Sequence, residues 1–234
     1  MPAAPRAVLF DLDGTLLDTA PDMVDALNRL RAERHLEPLP FEQARPSVSH
    51  GSTRLVEIGF PGLAAAEFAV LQKRFLELYA ARLADRTRLF EGMESVLEAL
   101  GATGLPLGIV TNKPGWLTDP LLEALALRTR FAAVVSGDTV ASRKPHPLPM
   151  RHAAALAGVS PEHCLYVGDA ERDVQAAHAA GMPALVATYG YLAPEEPWQA
   201  WGAEGSIDRP LELLEWLERP EAFARATALA RQGP

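Results

Sequence analysis

A single cysteine, Cys164, stands in the 234 residues of this chain, so no internal disulfide can form and no thiolate cluster can hold a structural zinc. The reducing cytoplasm is the expected setting. Lysine is nearly as scarce, with Lys73, Lys113 and Lys144 against nineteen arginines. The net charge of −8 argues against a broad nucleic-acid-binding surface, and any anionic ligand must be met by a local gathering of cations. Two of the three lysines fall in loops that matter below, where a flexible point charge can reach a phosphate. No apolar run approaches the roughly 18–20 residues that cross a bilayer. The opening MPAAPRAVLFD has no basic segment followed by a long apolar one, so neither membrane insertion nor a secretory signal is expected. The patterns G-x-x-x-x-G-K-[ST] and H-E-x-x-H are also missing, which disfavours an ATPase and a zinc peptidase.

What is present is an alternation. Short apolar runs end abruptly in polar residues: RAVLF at 6–10 before Asp11, PLGIV at 106–110 before Thr111, FAAVV at 131–135 before Ser136, CLYV at 164–167 before Gly168 and Asp169, and PALVA at 183–187 before Thr188. Helical stretches over 92–103, 115–126, 147–157 and 171–180 lie between them, the last closed by Gly181. This order predicts an α/β fold, a Rossmann-like parallel sheet with helices on both faces, whose ligands bind beyond the carboxyl ends of the strands. Those polar residues are therefore expected along one edge. Residues 16–88 break the rhythm, with helical periodicity and no convincing strand. Phe68, Leu71, Phe75, Leu78 and Arg82 form one stripe, expected in the core. The expected division is a core of 1–15 and 89–234 and an inserted helical cap of 16–88, with crossings near 16–20 and 86–91 as hinges. The tail from Arg219 to Pro234 reads as a final surface helix that frays.

Chemistry gathers at the strand ends. In extended chain Asp11 and Asp13 project to the same side, and Gly14 permits the turn that follows. Two like charges so close need a divalent cation, or a proton on one of them. Either suits phosphoryl transfer, in which one carboxylate attacks phosphorus and the other protonates the leaving oxygen. A bare D-x-D is by itself an ordinary turn. Its context is VTNKP at 110–114, SRKPHP at 142–147 and VGDAERD at 167–173. These add a hydroxyl, an ammonium for phosphate oxygens and further carboxylates for a metal.

DLDGTLLDT, TNKP, RKPHP and GDAERD resemble, in order and spacing, the four motifs of the haloacid dehalogenase-like superfamily, over residues 6–218. The resemblance implies Asp11 as nucleophile, Asp13 as general acid and base, Thr111 and Asn112 as phosphate-oxygen donors, and Lys144 as the cation steadying both. It implies Mg²⁺ held by Asp11, the main-chain carbonyl of Asp13 and Asp169, with Asp173 assisting, and oxygen ligands suit that ion. The second aspartate, Asp13, favours C–O–P over carbon–halogen chemistry. LFEGM at 89–93, VTNKP and ATYGY at 187–191 are most similar to phosphoglycolate phosphatases and to relatives acting on N-acetylmuramic acid 6-phosphate. The substrate is thus expected to be a small phosphorylated metabolite, with 2-phosphoglycolate first, and the protein a monomer or homodimer. In the cap loop 44–55, Ser49, His50, Gly51 and Ser52 are expected at the leaving group and Arg45 or Arg54 at a carboxylate. His146 is expected to cap or pack, and Cys164 to be buried and inert. A sugar-phosphate mutase and a phospho-receiver domain are the alternatives.

Overall fold

The computed structural model describes residues 4–219, 221, 223 and 224. Most of the tail expected as a final helix therefore lies outside the described residues. Strand β1 (Ala7–Phe10) is buried along its whole length, as an uninterrupted apolar run requires in a sheet covered on both faces. It is followed by β2 (Leu17–Asp18), helices α1 (Ala20–Glu33), α2 (Phe41–Ala44), α3 (Gly51–Gly59) and α4 (Ala65–Ala80), and then β3 (Arg88–Leu89). The alternation resumes with α5 (Met93–Ala102), β4 (Leu107–Val110), α6 (Gly115–Ala124), β5 (Ala133–Val135), α7 (Leu148–Leu156), β6 (Cys164–Gly168), α8 (Glu171–Ala180), β7 (Ala184–Ala187), β8 (Gly205–Ile207) and α9 (Glu212–Leu217).

Among the described residues, one sheet has six strands in the order β5-β4-β1-β6-β7-β8, and every pairing is parallel. The α/β reading holds. Two apolar clusters cover the faces, one built around Phe10, Ile109 and Val167 and the other around Leu9, Val135 and Tyr166. Strand β1 sits centrally between β4 and β6, so Asp11, Thr111 and Asp169 emerge side by side. Thr188 does not join them, because its hydroxyl donates to the carbonyl of Ile207 at the end of β8, 3.0 Å away.

Helices α1, α3 and α4 share a third cluster that includes Leu27, Leu55 and Phe75. In the stripe of α4, Leu71, Phe75 and Leu78 are buried and Phe68 is partly so. Arg82 is a correction: it lies past the helix, 52% exposed, and pairs with Asp85 and Asp25. The expectation of no strand over 16–88 is corrected, since the two crossings pair with each other as an antiparallel ribbon, Leu17 opposite Leu89 and Asp18 opposite Arg88. Two-residue strands carry no apolar periodicity by which to be recognised. Buried Asp22 of α1 clamps the return crossing, accepting the N–H of Arg86 at 3.0 Å, the N–H of Thr87 at 2.8 Å and the Thr87 hydroxyl at 2.7 Å. His146 Nδ1 accepts the Leu148 N–H at 3.1 Å and so caps α7. Cys164 is fully buried, and burial, then Glu162, push its thiol up to about 12. It is inert.

Candidate functional site

The three strand ends bring together acids that burial alone would not tolerate. One oxygen from each of Asp11, Asp169 and Asp173 lies within 4.8 Å of the others. The ammonium of Lys144, its side chain wholly buried, stands 2.9 Å from Asp11 Oδ1 and 2.6 Å from Asp173 Oδ1, and donates to the Tyr166 hydroxyl at 2.8 Å. The ammonium thus pairs with two of the three carboxylates, and Asp169 is left without a cation in hydrogen-bond reach among the described residues. Burial, opposed by Lys144 and reinforced by Asp173, pushes Asp11 up to about 6. Burial, then Asp11 and Asp173, push Asp169 up to about 7.

Local structure fixes each of these groups. Asp173 sits in the first turn of α8, where its Oδ2 accepts the Ala170 N–H at 3.0 Å. Asp169 Oδ2 accepts the Tyr191 N–H at 3.0 Å and the Ser49 hydroxyl. Its Oδ1 is buried and has no hydrogen-bond partner among the described residues. A buried carboxylate oxygen left without a donor, beside two more carboxylates, is a donor set that fits a hard divalent cation. Gly14, at φ +87°, passes so close that a methyl group there would overlap the Asp169 carboxylate.

Asp13 turns away from this cluster. Its Oδ1 accepts the Thr19 hydroxyl at 2.7 Å and the Lys113 ammonium at 2.9 Å. Any part for Asp13 in holding an ion would therefore fall to its main-chain carbonyl. Thr111 Oγ1 accepts the Lys113 N–H at 3.1 Å, which leaves the hydroxyl proton to be offered to a ligand. Asn112 also lines the cavity, but with its side chain engaged elsewhere, so that any donation to a phosphate oxygen would fall to its main-chain N–H. Its amide donates to the Lys144 carbonyl at 2.9 Å and accepts the Lys144 N–H at 3.0 Å, so the side chain is committed to positioning the lysine loop.

A cavity of about 610 Å³ opens between these strand ends and the helical segment. Asp11, Asp13, Thr111, Asn112, Ser49, His50, Gly51 and Ser52 line it, whereas Arg45 and Arg54 do not. The Arg45 guanidinium lies over the Tyr191 ring, 4.9 Å from its centroid, and ties the helical segment to the sheet. Arg54 is 53% exposed and pairs with Glu57 at 3.3 Å. Spacing along a loop cannot tell which side chains reach a cavity, and here neither arginine does. His50 is lowered, by burial first and then by Arg172.

Several residues of the site were not singled out from sequence. Arg172 donates to the Ser49 carbonyl and so ties the helical segment to the loop that carries the acids. Tyr79 reaches the cavity from α4, and Trp116, 52% exposed, stands at its rim. Lys113 carried a signal, as a rare lysine two residues beyond Thr111. Tyr79 carried none, because it lies in a helix far from any motif.

Residues 8–187 match the family described as haloacid dehalogenase-like hydrolase. A phosphoglycolate phosphatase of Xylella fastidiosa (strain Temecula1) is 45% identical over 221 residues, covering 94% of this chain and 95% of its own. An N-acetylmuramic acid 6-phosphate phosphatase of Pseudomonas aeruginosa is 36% identical, covering 92% and 95%. Among solved structures, one described as a predicted phosphoglycolate phosphatase from Haemophilus somnus superimposes with a TM-score of 0.80 at 29% identity, covering 90% of this chain and 96% of its own.

Proposed function

The chain belongs to the haloacid dehalogenase-like hydrolase family, and we propose that it is a magnesium-dependent phosphomonoesterase that works through an aspartyl phosphate on Asp11. The observation that carries this reading is the juxtaposition of Asp11, Lys144 and the Asp169 oxygen that lacks a donor. Asp11, Asp169 and the Asp13 carbonyl would hold the magnesium ion, with Asp173 behind them. The ion would neutralise the acids and the incoming phosphoryl oxygens.

The chain's own residues divide the remaining work. Asp11 attacks phosphorus and forms a P–O bond as the ester P–O bond breaks, and Asp13 gives its proton to the leaving oxygen. Water then gives a proton to the Asp13 carboxylate, attacks the same phosphorus and releases phosphate from Asp11. Lys144 and the Thr111 hydroxyl meet phosphoryl oxygens, where a fixed charge and dipole act most strongly in a dry site. Segment 16–88 is the cap, closing to exclude water in the first step and opening in the second.

For the substrate, 2-phosphoglycolate is the first reading, supported by the name of the 45%-identical relative. A cavity of about 610 Å³ with Trp116 at its rim favours a second, N-acetylmuramic acid 6-phosphate. Such a volume falls within the roughly 300–1,000 Å³ of pockets for drug-sized ligands and is generous for a two-carbon acid. Phosphate release across these two, glucose phosphates and nucleotides ranks them by kcat/KM. The first reading expects 2-phosphoglycolate ahead, and a lead of about tenfold or more for the amino sugar installs the second. Glucose phosphates ahead of both would defeat either. An isomeric sugar phosphate as product, in place of inorganic phosphate, would identify a mutase.

No helix of the described residues is long and apolar enough to cross a membrane. A cytoplasmic setting and a monomer or homodimer remain part of the proposal. The receiver-domain alternative has no counterpart for helices α1 to α4 inserted behind the first strand.

A further inference from the structure

Lys113 belongs to none of the roles above, yet its surroundings are those of a working group. Its side chain is 4% exposed, and among the described residues it is the cation paired with Asp13. The ammonium donates to Asp13 Oδ1 at 2.9 Å and to the Tyr79 hydroxyl at 2.9 Å, and it stands 4.6 Å from the Tyr79 ring centroid. Tyr79 is 1% exposed and sits in the last turn of α4, on the helical segment, while Lys113 follows β4 on the sheet. One ammonium therefore joins the segment that moves to the carboxylate that transfers the proton.

The geometry of Asp13 gives this link a consequence. Both donors, Lys113 and Thr19, bond the same oxygen, Oδ1. With Oδ1 taken by two donors, Oδ2 is the oxygen left to meet a leaving group in the cavity that Asp13 lines. We infer that Lys113 is a positioning residue for Asp13, and that the Tyr79 hydroxyl makes this positioning depend on where the cap helix α4 sits. The inference rests on the phosphatase reading above. Burial opposes the charge on Lys113, but the attraction of Asp13 and Tyr79 outweighs it and raises the ammonium above the ordinary lysine range. It stays cationic throughout the working range of pH.

A residue that acts through the acid must matter in proportion to how much the leaving group needs a proton. An alkoxide needs one as the P–O bond breaks, whereas p-nitrophenolate leaves without. Because Asp13 also takes the proton of water in the second step, which both esters share, the comparison is made on kcat/KM, which reports the step that expels the leaving group. Lys113→Met is expected to lower it about 10²–10³-fold on the best alkyl phosphate of the panel but less than about tenfold on p-nitrophenyl phosphate. Lys113→Arg recovers part of the loss. Tyr79→Phe, which keeps the ring and its packing, loses about tenfold with the same selectivity for the alkyl ester. In an Asp13→Asn background, Lys113→Met adds less than about threefold, because the group it serves is already gone. Equal losses in kcat/KM on both esters, additivity with Asp13→Asn, or a rise in KM with kcat preserved would overturn the inference and make Lys113 a plain anion-binding group. Wild type and Asp11→Asn assayed on p-nitrophenyl phosphate report on the phosphatase reading separately from these variants.

Discussion

Replacing Asp11 by Asn is expected to lower phosphate release by about 10⁴-fold or more while leaving the thermal unfolding midpoint within a few degrees of wild type. The size follows from removing the nucleophile, a loss that no other group in the site can make good. Preservation of the fold has a local reason. Lys144 is also held by Asp173 at 2.6 Å and by the Tyr166 hydroxyl at 2.8 Å, so the buried ammonium keeps partners when the charge on residue 11 is removed. The amide oxygen of Asn can still accept the Leu12 N–H that Asp11 Oδ1 accepts at 2.7 Å. Steady-state phosphate assays beside a thermal melt check both halves. Turnover within tenfold of wild type would remove Asp11 from its assigned role.

Exhaustive removal of divalent cations is expected to abolish turnover, and magnesium to restore it. A second readout needs no activity. With folded-state values of about 6 for Asp11 and about 7 for Asp169, both stand above the roughly 3.9 of an unfolded aspartate. Over that interval the folded chain retains protons that the unfolded chain has released. Its metal-free stability therefore falls as pH rises from about 4 to about 7. A bound cation takes the place of those protons, so the gain in midpoint on adding magnesium should be small at pH 5 and largest above pH 7. Asp169→Asn should flatten that dependence. Full activity after chelation, or a magnesium effect that shrinks as pH rises, would contradict this part of the account.

Much of the fold was legible because its signals are local. A short apolar run stopped by Asp11, Thr111 or Asp169 marks both a buried strand and the end of it, and the parallel order then places those stops along one edge. What escaped has physical reasons of its own. Strand β8 (Gly205–Ile207) is three residues at the sheet's edge, too short and too polar to form an apolar run. The β2–β3 ribbon is made by pairing residues some seventy positions apart, which no local pattern records. The same limit governs the site. Asn112 was legible as a loop residue, but that its amide faces the Lys144 backbone depends on the docking of two separate loops. Arg45 and Arg54 read alike in sequence, and only helix α3 and the turn before it decide that one lies on Tyr191 and the other in solvent. The meeting of Lys113 with Tyr79 joins two elements across the boundary between sheet and helical segment.

The account reduces to one covalent bond between the Asp11 carboxylate and phosphorus. Rapid mixing of enzyme with excess substrate, quenching in acid within the first turnovers and reduction with borohydride would convert an acyl phosphate into homoserine, which peptide mass spectrometry locates. Homoserine at position 11, rising and falling with turnover and missing from Asp11→Asn, is the predicted result. A homoserine elsewhere in the chain, or phosphate released through the first turnovers with residue 11 never modified, would contradict it.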